Sequence, residues 1–589
     1  MKTSISFLAI ALSAAPALAQ YPADPATNLA IADAAQEQAQ PKLAPAPGGG
    51  TYVSWFDTDP AGTPAFGYDV RLQLLDAGGR ELWPHGGILV ADRGFSSTQD
   101  YGLDVDPSGN ALLVFRDDRF GGVQITANKV DAAGTLLWGT NGVQLTSTTA
   151  FLAAPAIAGA TDGAVVVGWS QDNSVGLQRL DAAGAKTWGP NVLLTPPSGS
   201  YALSDMHAGD AGSAIFSFIE SAGSFGSARH LYAQKVSAAG APQWGTGHAK
   251  VYEAGSLQFG AFPDFISDGA GGAVFSWYSS SPSLEAFAQH ITSAGTEMFP
   301  HNGVAASTDA SQNRVDPAVA YDPIDGETFL LYEELNSTQS QSGLSAQKLD
   351  ATGNRMWGAT GTSLLALGVT QVGDTEVVAL DDGAMLIWSE SAGFGQDTLH
   401  AQVLDDNAAV LHAPTMLSST PAQKYRVTAQ KSELGHAHVV WQDDRSGSPG
   451  IFMQDYLPDG TLGGTAATSV TNGAGTNPVV LASVNDPVLG GTWITTVDKA
   501  ALPANVGSIL FVYTGASSGL VLGEGEVLVD LFSQQLLAQV TFTGPASDTH
   551  AVPIPAMIEL AGLNLTSQAL ILDLGGSQLT NAVSLTLGL

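Results

Sequence analysis

Short apolar runs separated by Asp-Gly, Gly-Gly and proline turns fill the chain from residue 28 to residue 460. The runs are too short for helices and rich in Val, Ile, Leu, Phe and Tyr, which predicts β-strands. They recur as a unit, clearest in Ala154 to Thr195, "APAIAGATDGAVVVGWSQDNSVGLQRLDAAGAKTWGPNVLLT". One aromatic anchors each unit, at Trp55, Phe115, Trp169, Phe218, Trp277, Tyr332, Trp388 and Trp441. A second column follows, at Gln73, Asn128, Gln178, Gln234, Gln289, Gln347, Gln402 and Gln454. Around the first anchor both strand faces are apolar, as in Val165 to Trp169. A strand buried on both sides belongs between packed sheets.

Four strands in about 50 residues is the size of a propeller blade. Eight copies predict an all-β, eight-bladed β-propeller, with seven blades as the alternative should one degenerate unit stand outside the ring. The last unit lacks its final strand, and the missing piece lies at the other end of the chain. "NLAIADAAQEQAQPKLAPAPGGGTYVSW" matches "NGVQLTSTTAFLAAPAIAGATDGAVVVGW", so Asn28 to Asp33 is expected to supply the outer strand of the final blade. In blade size and closure the chain resembles the kelch- and WD40-like β-propeller superfamily, secreted bacterial repeat proteins among them. It lacks the WD40 Gly-His and Trp-Asp signatures and the kelch double glycine, so the resemblance implies architecture alone.

The remaining boundaries follow from composition. Residues 1–19 read as a signal peptide, with Lys2, an apolar stretch and Ala17-Leu18-Ala19 before Gln20. The propeller is expected over 20–464, a Gly/Thr-rich linker over 465–478, and a carboxy-terminal β-sandwich domain over 479–589. The 589 residues contain 55 acids, 21 bases and no cysteine, for a formal charge of −34. That charge disfavours nucleic acid and anionic membranes. The absent thiol excludes disulfides and cysteine chemistry, and no stretch is apolar enough to span a bilayer. A secreted or cell-surface protein is expected.

The strongest polar column stands two residues after the first anchor and includes Asp57, Asp117, Glu220, Glu334, Glu390 and Asp443. A carboxylate in most blades reads first as turn architecture. Its alternative role is to bind Ca²⁺ or a basic ligand. Asp117 and Asp443 open a repeated Asp-Asp-Arg, "FRDDRFGG" and "WQDDRSGS". Adjacent strand residues face opposite ways, which argues against an acid/base couple. The pattern predicts an exposed salt bridge or turn clamp. Asp104, Asp106, Ser108 and Asn110 partly resemble a Ca²⁺ loop without its closing acid, and turn chemistry explains them equally. His436 and His438 share one strand face as Zn²⁺ candidates without a third ligand, against the reading of buried neutral histidines.

The sialidase Asp-box and the nucleophile, phosphate and zincin motifs are absent. The favoured reading is therefore a non-enzymatic binding module without a catalytic residue or cofactor. It would take a protein or carbohydrate ligand at a propeller face or the central channel, with Thr58 to Gly67, Glu220 to Arg229 and Leu335 to Gly343 as contact loops. The alternatives are a secreted carbohydrate-active enzyme, glycoside hydrolase or lyase, and a Ca²⁺-stabilised adhesin. Acids converging on one pocket with a raised carboxyl pKa favour the enzyme; acids splayed around the rim favour the module.

Overall fold

The computed structural model describes residues 20–59, 67–95, 100–223 and 226–589. The expected signal peptide, most of the Thr58 to Gly67 loop and residues 224–225 lie outside them. The described residues hold strands and two short 3-10 turns, with no α-helix. Eight antiparallel sheets follow one another along the chain, seven of four strands and one of five. Their innermost strands are Gln38–Pro45, Gly102–Val105, Leu152–Gly159, Ser200–Ala208, Phe265–Ser267, Asn313–Asp322, Gln371–Leu380 and Lys424–Lys431. Each touches the next, and the last touches the first. The sheets therefore form a closed, propeller-like ring around an axial channel.

Closure uses the amino-terminal strand. Leu29–Ala32 pairs antiparallel with Gly450–Tyr456, placing Leu29 opposite Met453 and Ala32 opposite Ile451. It completes the eighth sheet, whose other three strands come from the far end of the repeat. The anchors Trp55, Trp169, Trp277, Trp388 and Trp441 are all at most 1% exposed, each packed between neighbouring sheets. The second-column amides bridge onward: Gln73 Nε2 donates to the Pro84 carbonyl and Gln454 Nε2 to the Pro22 carbonyl.

Residues 467–589 form two further sheets and a hairpin. A five-stranded sheet and the three-stranded sheet Leu481–Ser483, Thr492–Asp498 and Ser547–Pro553 enclose one core, with Trp493, Leu510 and Val583 fully buried. The stretch expected as a linker is ordered in part: Ala467–Thr471 pairs along Gln578–Thr586. Backbone pairing along that sheet edge orders it, since its side chains stay mostly exposed. The two sheets are also joined by charge. Lys499 Nζ lies 2.7 Å from Asp548, both fully buried, and Asp548 accepts from Ser508 Oγ of the facing sheet. Removing one partner of a buried pair strands the other charge. Lys499→Met is expected to lower unfolding stability by about 3–5 kcal/mol, and adding Asp548→Leu to restore part of it, measured by urea denaturation of the carboxy-terminal transition.

Candidate functional site

Each member of the repeated carboxylate column is held by its own sheet. Asp57 pairs with Arg71 at 2.6 Å and accepts from Gln38. Glu334 accepts from Arg314 and Ser345, Glu390 from Trp388 Nε1, and Glu220 lies 3.6 Å from His230. Asp117 accepts from Arg119, and Asp443 from Trp441 and Arg445, with Lys424 at 3.1 Å. Burial raises the Asp443 carboxyl, but Arg445 and Lys424 outweigh it and hold it below the usual range. These acids are spread around the ring and do not converge.

The Asp-Asp-Arg pair has one job in both sheets. Arg119 donates to the carbonyls of Thr140 and Asn141 ahead of its outer strand. Arg445 donates to Asn28 Oδ1, ahead of the ring-closing strand, and to Ser418 Oγ. The second acids, Asp118 and Asp444, accept from the backbone of Gly94 and Gln423 on the incoming chain. The motif is a clamp on strand entry, the second of the two readings its sequence allowed; its first acids are fully buried, while the Arg119 side chain stays 21% exposed.

Asp106 accepts from the backbone of Ser108 and Asn110 and pairs with Lys129 at 2.8 Å, a turn stabilised by an ion pair. Asp104 points away from it, into the channel, where it accepts from Gly159. His436 and His438 are buried, with Nε2 atoms 2.8 Å apart and Ser432 Oγ on His436 Nδ1. Burial pushes His436 down to about 3, so both rings are neutral. Among the described residues no group of three His, Cys, Asp or Glu side chains is arranged to hold a metal ion.

The acids that do converge lie on the inner strands. Most of these strands bulge, with register shifts between Ala39 and Lys42, Leu203 and Asp205, and Gly373 and Glu376. A bulge re-aims the side chains that follow it. Lys42, Asp205 and Glu376 each stand directly after the shift, and Asp264 holds the same place before Phe265. A channel cavity of about 90 Å³ is lined by Lys42, Asp100, Asp104, Asp205, His207 and Asp264.

The fifth sheet breaks the symmetry. Its inner strand is split into Ser256–Leu257 and Phe265–Ser267. The intervening segment carries Asp264 and two exposed aromatics, Phe259 and Phe262, 60% and 48% exposed. The Arg229 guanidinium stacks 4.5 Å from the Phe259 ring.

Two neighbouring carboxyls are driven apart in this channel. Burial raises Asp205, but the His207 charge and hydrogen bond at 2.9 Å, with the Phe265 and Met206 N–H groups, bring it below its usual value. Desolvation by the crowded channel walls and then the Asp205 charge push Asp264 up to about 7, against Lys42, although its side chain stays open to solvent. Burial and the Asp264 charge carry Glu376 to about 8. Burial lowers His207, yet Asp205 holds it at about 9. Of the two, Asp205 is the stronger acid and Asp264 holds its proton to higher pH.

No protein-family description matches the chain, and no curated protein matches it. Solved structures do. The polysaccharide lyase Uly1 aligns over 74% of this chain and 91% of its own, at 11% identity and a TM-score of 0.35. An exo-β-1,3-galactanase from Phanerochaete chrysosporium aligns over 71% and 100%, at 14% and 0.25. A Dyadobacter fermentans protein of unknown function aligns over 75% and 99%, at 12% and 0.34. TM-scores this low carry no argument about activity.

Apart from Asp104, the channel acids went unread from sequence because their shared place follows a bulge and holds a different residue type in each sheet. The available signal was the longer Glu253 to Asp264 stretch of the fifth unit with its two phenylalanines. A carboxyl with a raised folded pKa favours folding below its unfolded value, and that contribution fades as pH rises towards the folded value. For Asp264 the window runs from about 4 to about 7. Asp264→Asn is therefore expected to gain melting temperature relative to wild type between pH 5 and pH 8. An equal difference at both pH values, by calorimetry, counts against the raised carboxyl.

Proposed function

We propose that the chain is an exported carbohydrate-active enzyme that hydrolyses glycosidic bonds at the channel mouth of an eight-bladed β-propeller. In this reading residues 20–464 form the propeller and 479–589 a β-sandwich domain. The observation that carries it is the split pair in one channel cavity, Asp205 held below its usual value by His207 and Asp264 raised beside it. Glycoside hydrolysis needs such a pair. Asp264 donates its proton to the leaving oxygen as the C–O bond breaks. Asp205 takes the proton of the water that bonds the anomeric carbon, so atoms and charge balance without a cofactor. His207 is a positioning residue: its hydrogen bond and charge keep Asp205 ionised.

Phe259 and Phe262 supply flat apolar faces beside the acids, suited to the C–H face of a sugar ring. The acidic channel and the net charge of −34 disfavour uronates, and with them a lyase. No helix among the described residues is long and apolar enough to cross a membrane, in keeping with export.

The test is turnover of soluble arabinan, galactan, xylan and β-glucan by reducing-end release. Asp264→Asn and Asp205→Asn should each cut turnover by about 10²–10⁴, with binding kept within a few-fold. Wild-type turnover should fall as pH rises through about 7, where Asp264 loses its proton. Binding of these glycans without turnover by the wild type would reassign the channel to a non-enzymatic binding module. Neither binding nor turnover removes the carbohydrate reading altogether.

A further inference from the structure

The residue after the second anchor forms a column of its own. In five sheets it is a cation or histidine paired with the turn below: Lys129 with Asp106, Arg179 with Asp162, Lys235 with Asp210, His290 with Asp268 and Lys348 with Glu327. In the first, seventh and eighth sheets the same place holds Leu74, Val403 and Asp455. Beside the first and eighth sheets the ring's surface is apolar. Ala77, Leu434 and Leu457 join the core of the carboxy-terminal sheets, packed with Leu589, Ile558 and Leu560.

Between these two bodies runs the segment that leads into the ring-closing strand. Tyr21 is 2% exposed and donates its backbone N–H to Gly78 at 3.0 Å. Its ring lies against the Gly79 backbone and 5.6 Å from the His438 ring. On its other side stands the connection to the carboxy-terminal sheets. Thr465 Oγ1 donates to the Tyr21 carbonyl at 3.4 Å, and Gly463 approaches Ala23 so closely that a Cβ there would lie 2.6 Å from its backbone nitrogen. Asp455 accepts from the Gly463 N–H at 2.8 Å, and Leu589 N–H donates to the Gly464 carbonyl at 2.6 Å. The last residue of the chain thus pins the connection that lies over the first described ones.

We infer that the carboxy-terminal sheets lock the ring: they dock on the first and eighth sheets and hold Tyr21 to Ala23 in place, so that Leu29–Ala32 cannot peel from Gly450–Tyr456. The physical need is plain. The closing strand is four residues long, so its pairing alone resists fraying weakly. Clamping the chain just ahead of it converts a fraying end into a tethered one.

Hydrogen exchange followed by mass spectrometry on the full chain tests the lock. Leu434→Asp and Ile558→Asp each place a carboxylate in the docking contact, one from either side. Expected is at least a tenfold rise in exchange of residues 21–32 in both single variants and the double variant. Exchange of Ala111–Asp117 in the second sheet should stay at the wild-type rate. Unchanged exchange of 21–32 in the double variant overturns the proposal. Equal acceleration of the second sheet overturns it too, because the carboxy-terminal sheets would then support the whole ring rather than its seam. Val540→Asp, on an exposed face of the same sheets, should leave residues 21–32 unaffected.

Discussion

A ring of antiparallel sheets has one weak place, the seam at which the first and last sheets meet. Each strand edge carries backbone donors and acceptors that must be paired or wetted. Pairing Leu29–Ala32 with Gly450–Tyr456 removes the open edge of the eighth sheet with strands more than 400 residues apart in sequence. Loop-closure entropy opposes such a contact, and several devices gather there to offset it. Arg445, held by Asp443, grips Asn28; Gln454 holds Pro22; the carboxy-terminal connection lies over Tyr21.

The ring also explains where chemistry is found. A repeat places equivalent side chains at equal distances around an axis, so a residue shared by every blade is spread along the rim. Only the inner strands approach one another, and only there do single substitutions meet across a short space. Asp205 and Asp264 come from neighbouring sheets and share one cavity. The broken inner strand of the fifth sheet adds Phe259 and Phe262. The charges there are mixed, with Lys42 on Asp100 and His207 on Asp205. That mixture separates the two carboxyls instead of raising both.

Much of the architecture is legible in the chain. Two anchor columns, turn residues and the displaced final strand specify sheets and closure, because strand burial depends on local period and apolar content. Each repeated carboxylate is tied within its own sheet, Asp57 to Arg71 and Glu334 to Arg314, as befits a residue present in nearly every unit. Less legible was the partner of each acid. Asp117 and Asp443 are fully buried, and Arg445 reaches Asn28 from the other end of the chain, a partner no local pattern names. The glycine-rich stretch after residue 464 looked like a linker, yet an edge of the last sheet recruits Ala467–Thr471.

By itself the sequence determined an all-β repeat, its unit, and a seam closed by its own amino-terminal strand, because these follow from patterns repeated along the chain. Tertiary structure decided which unrepeated residues meet. Asp104, Asp205, Asp264 and Glu376 lie in four different units, and bulges in most inner strands displace the local alternation that would reveal their facing. Their protonation depends on burial and on charges across the channel, which fall off with distance through space and take no account of separation along the chain.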